Sequence, residues 1–318
     1  VGLPDLRQAF ADWYKRFYKV NMDPNSEILP LIGSKEGILY ISMAFLNPGD
    51  EVLLPDPGYP TYQSVSNLVQ AKMITYELDE ENNWAPDLKA LENHDLSRVK
   101  LMWVNYPNMP TGATASKALF EKLIDFGKRH QILIVNDNPY SFILNDQPQS
   151  IFQVEHAKEV AIELNSLSKS HNMAGWRVGM IGGAADYLQT IQKVTSNVHS
   201  GMFYPVQKAA VEALNLPDEW YDELNKIYHR RRNVVREIFD ELNCSYSTNT
   251  SGLFVWAKIP DAVKDAEALS EEILHNAEVF ITPGFIFGKK GSRYLRISLC
   301  SKEDQLKEAL LRINKNIK

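Results

Sequence analysis

The sequence predicts an α/β protein, a layered sandwich of strands and helices, with a smaller α+β unit after it. Three observations carry this. Ahead of residue 219, short apolar runs alternate with amphipathic segments, a pattern that pairs strands in parallel through helical crossovers. Gly- and Pro-bearing turn signals such as Asn47-Pro48-Gly49 punctuate the alternation. From residue 219 one long helical pattern takes over, and the segment beyond it mixes strands and helices differently.

The elements can be taken in order. Leu3, Leu6, Phe10, Trp13 and Phe17 recur at helical spacing, with Pro4 placed for a first turn. A second helix opens after Gly33 and stops before Asn47. Residues 51–54, 72–76, 101–104, 132–135, 160–164 and 178–181 read as strands, with helical patterns such as 62–70 and 116–129 between some of them. Residues 219–242 form a helix long enough to bridge two domains. After it come a strand at 253–258, a helix at 265–278, strands at 279–282 and 294–297, and a last helix from Lys302. Ser301 with Asp304 three residues on is read as a capping box, Asp replacing the usual Glu or Gln. The domain division is therefore 1–220 and 221–318.

Composition bounds the function. With 318 residues, 44% hydrophobic and 23% charged, the chain can bury a full core without staples. Cys244 and Cys300 are too few for a disulfide framework and lack metal-ligand spacing. A reducing cytoplasm is the expected compartment, and no metal is expected. No apolar run approaches bilayer length, so no membrane partner is expected. A net charge of −6 argues against a nucleic-acid surface. The basic run His229-Arg230-Arg231-Arg232 lies inside a helical pattern and reads as a solvated or salt-bridged face.

Polar clusters close several strands, where an α/β sheet places its working groups. They are Asn105-Tyr106-Pro107-Asn108-Met109-Pro110-Thr111-Gly112, Asn136-Asp137-Asn138-Pro139-Tyr140, and Asn165-Ser166-Leu167-Ser168-Lys169-Ser170. Gly33-Ser34-Lys35-Glu36-Gly37 opens a helix, whose free N–H groups and dipole favour an anion such as phosphate. Taken singly, each has a plain structural reading as a turn, a cap or a solvated loop. Their joint order is the informative feature.

In that order they resemble the class I/II aminotransferases, the fold-type-I pyridoxal-phosphate family. The most specific stretch is Ser166-Leu167-Ser168-Lys169-Ser170-His171-Asn172-Met173-Ala174-Gly175-Trp176-Arg177-Val178-Gly179, close to the family's lysine signature. Asp56-Pro57-Gly58-Tyr59-Pro60, Asp137-Asn138-Pro139-Tyr140 and Tyr294-Leu295-Arg296-Ile297-Ser298 match other family motifs in sequence. The resemblance implies a three-layer sandwich around a mostly parallel seven-stranded sheet, with a smaller C-terminal α+β domain.

The resemblance also implies a transaminase using pyridoxal 5'-phosphate, with an L-amino acid and a 2-oxo acid as substrates and a homodimer as assembly. By position, Lys169 forms the internal aldimine and shuttles protons. Asp137 keeps the pyridine nitrogen protonated, Tyr140 bonds the phenolic oxygen, and Tyr59 stacks on the ring. Ser34, Lys35, Ser166, Ser168 and Arg177 enclose the phosphate, and Arg296 clamps the substrate α-carboxylate. Rival readings are a carbon–sulfur β-lyase on the same scaffold, a non-enzymatic pyridoxal-phosphate-binding regulator, and a degenerate scaffold kept for interaction.

Two departures stand out. Met109 takes the place of the Asn that in most relatives donates to the phenolic oxygen, and Asn108 would need a changed backbone path to replace it. Relatives also carry several dozen residues ahead of the match to Gly2, including a substrate lid and a tyrosine that reaches the partner's cofactor. The numbered chain starts at Val1, so the N-terminal part of the small domain is expected to be missing. His171 is expected to be a structural loop residue, and Ser200-Gly201-Met202-Phe203 to lie near a subunit boundary. Pro283-Gly284 and Phe287-Gly288 are expected near the substrate mouth.

Overall fold

A computed structural model describes residues 1–317. The first half runs α1 (Pro4–Tyr18), β1 (Ile28–Leu31), α2 (Ser34–Phe45), β2 (Glu51–Asp56), α3 (Pro60–Leu68), β3 (Lys72–Glu77), α4 (Leu88–Leu91), β4 (Val99–Val104), α5 (Lys117–His130) and β5 (Leu133–Asp137). It continues through β6 (Ala161–Ser166), α6 (Leu167–Ser170), β7 (Gly179–Gly183), α7 (Ala185–Val198) and α8 (Tyr204–Leu214). The remainder is α9 (Glu219–Glu241), β8 (Ser245–Tyr246), β9 (Phe254–Lys258), α10 (Ala266–Ala277), β10 (Thr282–Pro283), β11 (Tyr294–Ser298) and α11 (Glu303–Asn316).

β1 to β7 form a seven-stranded sheet in the order β1-β7-β6-β5-β4-β2-β3. Strands β2 to β6 pair in parallel, while β7 runs antiparallel to both β6 and β1. The period-2 alternation of side chains makes this sheet the middle of three layers. Val52, Leu54, Leu101, Trp103, Leu133, Val135, Ile162 and Leu164 pack on the side of α2, α3 and α7. Leu53, Met102, Val104 and Ile134 pack with α1, α5 and α8 on the other.

Local signals set the helix ends. In α1, Pro4 and Asp5 occupy the first turn, Lys15 and Arg16 the last, and Lys19 closes it in the left-handed region. In α5 the Ser116 hydroxyl accepts from the Leu119 N–H, and Lys128, Arg129 and His130 sit in the last turn. A separate core gathers α9, α10, α11 and a four-stranded antiparallel sheet in the order β10-β11-β9-β8.

Two expectations need correction. The strand expected at 279–282 shrinks to β10, because Glu278 ends α10 in the left-handed region and only Thr282 and Pro283 reach β11. The last helix is not capped by Ser301 and Asp304. It begins at Glu303, and the Lys302 N–H donates to Gln305 Oε1 at 3.2 Å, so the long amide takes the role given to Asp304. Asp304 accepts instead from the neighbouring Gln305 N–H at 2.9 Å. The basic run divides: Arg230 meets Glu303 at 3.4 Å, whereas Arg231 and Arg232 donate to the carbonyls of Leu299 and Thr250.

Candidate active site

At the C-terminal ends of β4, β5 and β6 a cavity of about 470 Å³ opens toward the second sheet. All ten site residues expected from the sequence line it: Ser34, Lys35, Tyr59, Asp137, Tyr140, Ser166, Ser168, Lys169, Arg177 and Arg296. They come from segments far apart in sequence, and the parallel sheet brings them together because its strands end on one edge.

The floor is Asp137. It ends β5, is buried, and accepts a hydrogen bond from the Tyr62 hydroxyl at 2.9 Å through Oδ2. Among the described residues its Oδ1 has no partner. Burial pushes this carboxyl up to about 7, the Tyr62 hydrogen bond pulls it down, and the Glu163 charge adds to the rise. A buried carboxylate oxygen with no donor costs free energy until a donor arrives. Asn105 sets the strand end by donating to the Asp137 carbonyl at 2.5 Å and accepting from the Met109 N–H at 2.7 Å. The sequence marks Asn105 only as part of the polar cluster after its strand, and gives Tyr62 no role in the site. The Tyr62 contact spans 75 residues, and no local spacing signals it.

Lys169 projects from α6, a helix of one turn, and its amine has no hydrogen bond or ion pair among the described residues. The Ser166 hydroxyl caps that turn, accepting from the Ser168 N–H at 3.2 Å. Opposite lies the N-terminus of α2. Gly33 stands at φ +85, and a Cβ there would collide with the Arg177 guanidinium. Arg177 also reaches Ser168 Oγ at 3.5 Å and the Ala174 carbonyl at 2.9 Å. Free backbone N–H groups, a guanidinium and a hydroxyl thus converge on one corner, a cradle for a small oxyanion. Lys35 lies over the Tyr59 ring at 5.8 Å, and Tyr59 meets Tyr62 edge-on at 5.6 Å.

The opposite wall comes from the second sheet. Arg296 on β11 lies between the rings of Phe254 and Phe287, at 4.1 and 4.3 Å. Its Nη1 touches Met109 Sδ at 3.3 Å, and among the described residues its Nε has no partner. The two ring contacts hold the guanidinium, and a thioether is a weak acceptor, so donors stay available for a carboxylate. Met109 therefore packs on Arg296. Asn108 does not take its place: its Oδ1 accepts from the Thr111 hydroxyl at 2.8 Å within the turn. Burial and the Asp137 charge push the Tyr140 phenol well up.

The loops expected near the mouth join the two sheets. Ile286 and Phe287 line the cavity. The N–H groups of Lys289 and Lys290 donate to the Asp56 carboxylate at 3.1 Å each, and the Gly58 N–H donates to the Phe287 carbonyl at 2.8 Å. His171 is buried between Ser170 and Tyr221, at 2.9 and 3.1 Å, and burial lowers it to about 4.

The residues suit pyridoxal phosphate on three independent counts. There is a buried carboxyl oxygen without a donor that can accept from a ring N–H, an oxyanion corner where a Cβ on Gly33 would displace the Arg177 guanidinium, and an amine lining the same cavity with no ion pair among the described residues.

Comparison with known proteins gives the same picture. The family model "Aminotransferase class I and II" matches residues 1–313. An LL-diaminopimelate aminotransferase of Aquifex aeolicus is 42% identical over 320 residues, covering 100% of this chain and 82% of the relative. One from Halothermothrix orenii is 41% identical with the same coverage. Among solved structures, apo-BacF from Bacillus subtilis superposes with a TM-score of 0.94 at 37% identity, covering 99% of this chain and 80% of that one. An aromatic aminotransferase from Pyrococcus horikoshii OT3 gives 0.92 at 29% identity, covering 99% and 85%.

Proposed function

The chain belongs to the class I and II aminotransferases, and on that premise we propose that it moves an amino group from an LL-diaminopimelate-type amino acid to a 2-oxo acid, with Lys169 as the cofactor lysine. The enzyme class and its cofactor, pyridoxal 5'-phosphate, come with the family. The substrate class rests on the curated relatives at 41–42% identity over the whole chain. The roles of individual residues rest on the cavity. The observation that carries them is the orphaned Asp137 Oδ1 sharing one cavity with the unpaired Lys169 amine and the ring-held Arg296.

When bound, the cofactor supplies an electron-withdrawing ring that stores the electron pair left at the substrate Cα. Asp137 Oδ1 accepts the ring N–H and, as an anion in a low-dielectric site, holds its proton. Tyr140 would donate to the ring hydroxyl oxygen, and Tyr59 would lie against the ring. Ser34, Lys35, Ser166, Ser168 and Arg177 bind the phosphate. Arg296 receives the substrate α-carboxylate in two parallel hydrogen bonds, which fixes Cα–H toward Lys169. The Lys169 amine would hold the cofactor and, once free, would take the Cα proton onto its own nitrogen.

Three further features belong to this proposal. The chain divides into domains at 1–220 and 221–318, as the separate cores suggest. It acts as a homodimer, because Val198, Phe203 and Tyr204 leave apolar surface at 55, 71 and 58% exposure in one short stretch. A cytoplasmic location is part of the same reading, supported by the two free thiols; among the described residues no helix is long and apolar enough to cross a membrane.

Borohydride reduction of the holoprotein and then peptide mapping should label Lys169. A label on another lysine refutes the assignment. An absorbance panel of amino acids, then of 2-oxo acids, tests the substrate: LL-diaminopimelate should convert the bound cofactor fastest, and a faster monocarboxylic amino acid would overturn that choice.

A further inference from the structure

Glu163 is 0% exposed and takes no part in the cavity. It lies on β6 opposite Asn136, between Ile162 and Leu164, which face α2 and α7. Alternation therefore sends its side chain to the α1 face of the sheet. There its Oε1 accepts from the Tyr14 hydroxyl at 2.9 Å and the Ser150 hydroxyl at 2.8 Å, and its Oε2 from Asn136 Nδ2 at 2.9 Å and the Ile151 N–H at 3.0 Å.

This donor set bears on the charge. The amide and the backbone N–H can only donate. The two hydroxyl oxygens each receive an N–H group, from Phe152 at 3.2 Å and Asn165 at 3.4 Å, which leaves their own protons free to be donated to the carboxylate. Burial raises the Glu163 carboxyl, and these four donors oppose that rise by favouring the ionised form. Among the described residues no Lys, Arg or His lies within 4.0 Å of it. A buried anion satisfied only by neutral donors keeps its field, which reaches further through the low-dielectric interior than through water.

The residue next to Asn136 is Asp137, on the other face of the same strand. We propose that Glu163 is a positioning residue for the amino-transfer reaction: it fixes the end of β5 through Asn136 and adds negative potential behind Asp137, strengthening the hold on the proton that Asp137 faces. The proposal rests on the cofactor role of Asp137.

The groups around Asp137 act in both directions. Glu163 raises the Asp137 carboxyl, and the Tyr62 hydroxyl on α3 opposes it. Tyr14 and Tyr18 on α1 face Glu163, and both phenols are pushed up by burial and then by its charge. Lys169, Arg177, Arg296 and Tyr140 face Asp137 around the cavity. Removing the charge at 163 should lower the Asp137 midpoint from about 7 and loosen the proton on the ring nitrogen.

The test uses the full chain with 13C-labelled carboxyl groups, first without cofactor. In Glu163→Gln the Asp137 resonance, assigned with Asp137→Asn, should titrate at lower pH than in the wild type. In Asn136→Asp/Glu163→Gln an anion returns to the same hydrogen-bonded pair, and the midpoint should rise again. With 15N-labelled pyridoxal 5'-phosphate bound, Glu163→Gln should show a smaller protonated fraction of ring nitrogen at pH 8. An Asp137 midpoint unchanged by Glu163→Gln overturns the proposal and leaves Glu163 a structural tie. A midpoint that moves with Glu163→Gln but ignores added cofactor overturns the cofactor role of Asp137 and the positioning role with it. If the variant does not fold, the wild-type Glu163 resonance decides: a neutral acid at pH 7 overturns the proposal, and a carboxylate sustains it.

Discussion

A carboxyl group that burial has pushed to about 7 keeps a proton which the unfolded chain releases near the ordinary 3.8. For Asp137 in the cofactor-free protein the sign comes from proton linkage. Between those two values the folded state binds more protons than the unfolded one, so this group's contribution to stability falls as pH rises and levels off above about 7. Asp137→Asn removes the penalty. Its cofactor-free form should exceed the wild type in stability at pH 8, by on the order of a few kcal/mol at most, and by less at pH 5. Denaturant midpoints at the two pH values check this, and an equal difference at both would refute it. The same variant should cut transamination severely, since a neutral amide cannot hold the ring proton as a carboxylate does. Met109 gives the second residue-scale prediction. Its sulfur rests on Arg296, so Met109→Asn puts an amide between Arg296 and the ring hydroxyl oxygen that Tyr140 serves. An added donor stabilises the anionic oxygen, and the pH midpoint of the bound cofactor's absorption should fall by about one unit or less. An unchanged midpoint would mean that the amide turns to Arg296 alone.

Among the elements, what the sequence reveals depends on whether the deciding interaction is local. Motifs at strand ends were legible because turn chemistry, helix starts and apolar runs are encoded within a few residues, and all ten expected side chains reach one cavity. β1 was not. It is a four-residue edge strand containing Pro30, paired only with β7, and its short apolar run carries no alternation to read. β8 has only two residues. Tyr62 and Glu163 had no role legible in the sequence, because their partners lie 75 and up to 149 residues away, and Asn105 was legible as a strand-end polar group but its bond to the Asp137 carbonyl, 32 residues on, was not. The start of α2 was legible as an anion site, and its geometry sharpens the expectation. Gly33 needs its positive φ, and the space where a Cβ would sit belongs to Arg177. Gly33→Ala must therefore strain the backbone and displace the guanidinium together. Cofactor affinity, measured by equilibrium dialysis of the full chain, should fall at least tenfold, roughly what losing one charge-assisted hydrogen bond implies. An affinity within twofold of wild type would show that Arg177 does not bind the phosphate.

At the scale of the whole molecule, the cavity is a seam. The first sheet supplies Asp137 and Lys169, the second Arg296, Phe254 and Phe287, and the Asp56 tether to the N–H groups of Lys289 and Lys290 holds the two together. Any motion of one sheet against the other changes the distance from Arg296 to Lys169, and so the placement of a substrate held by its carboxylate. The stretch from Val198 to Tyr204 bears on how that seam is closed. It connects α7 to α8, and it exposes Val198, Phe203 and Tyr204 with no covering residue among those described. α7 packs on α2, the helix whose N-terminus forms the oxyanion corner. A second copy seated on this stretch would hide the apolar side chains, and two-fold symmetry is the default closure for such a contact. Sedimentation velocity of the holoprotein at micromolar concentration should then show a dimer. Phe203→Asp buries a charge in that contact without touching the cavity, so it should shift the protein toward monomer and, through α7 and α2, weaken cofactor retention in parallel. A monomeric wild type would refute the assembly, while a variant that dissociates yet keeps its cofactor would show that each subunit completes its phosphate corner alone.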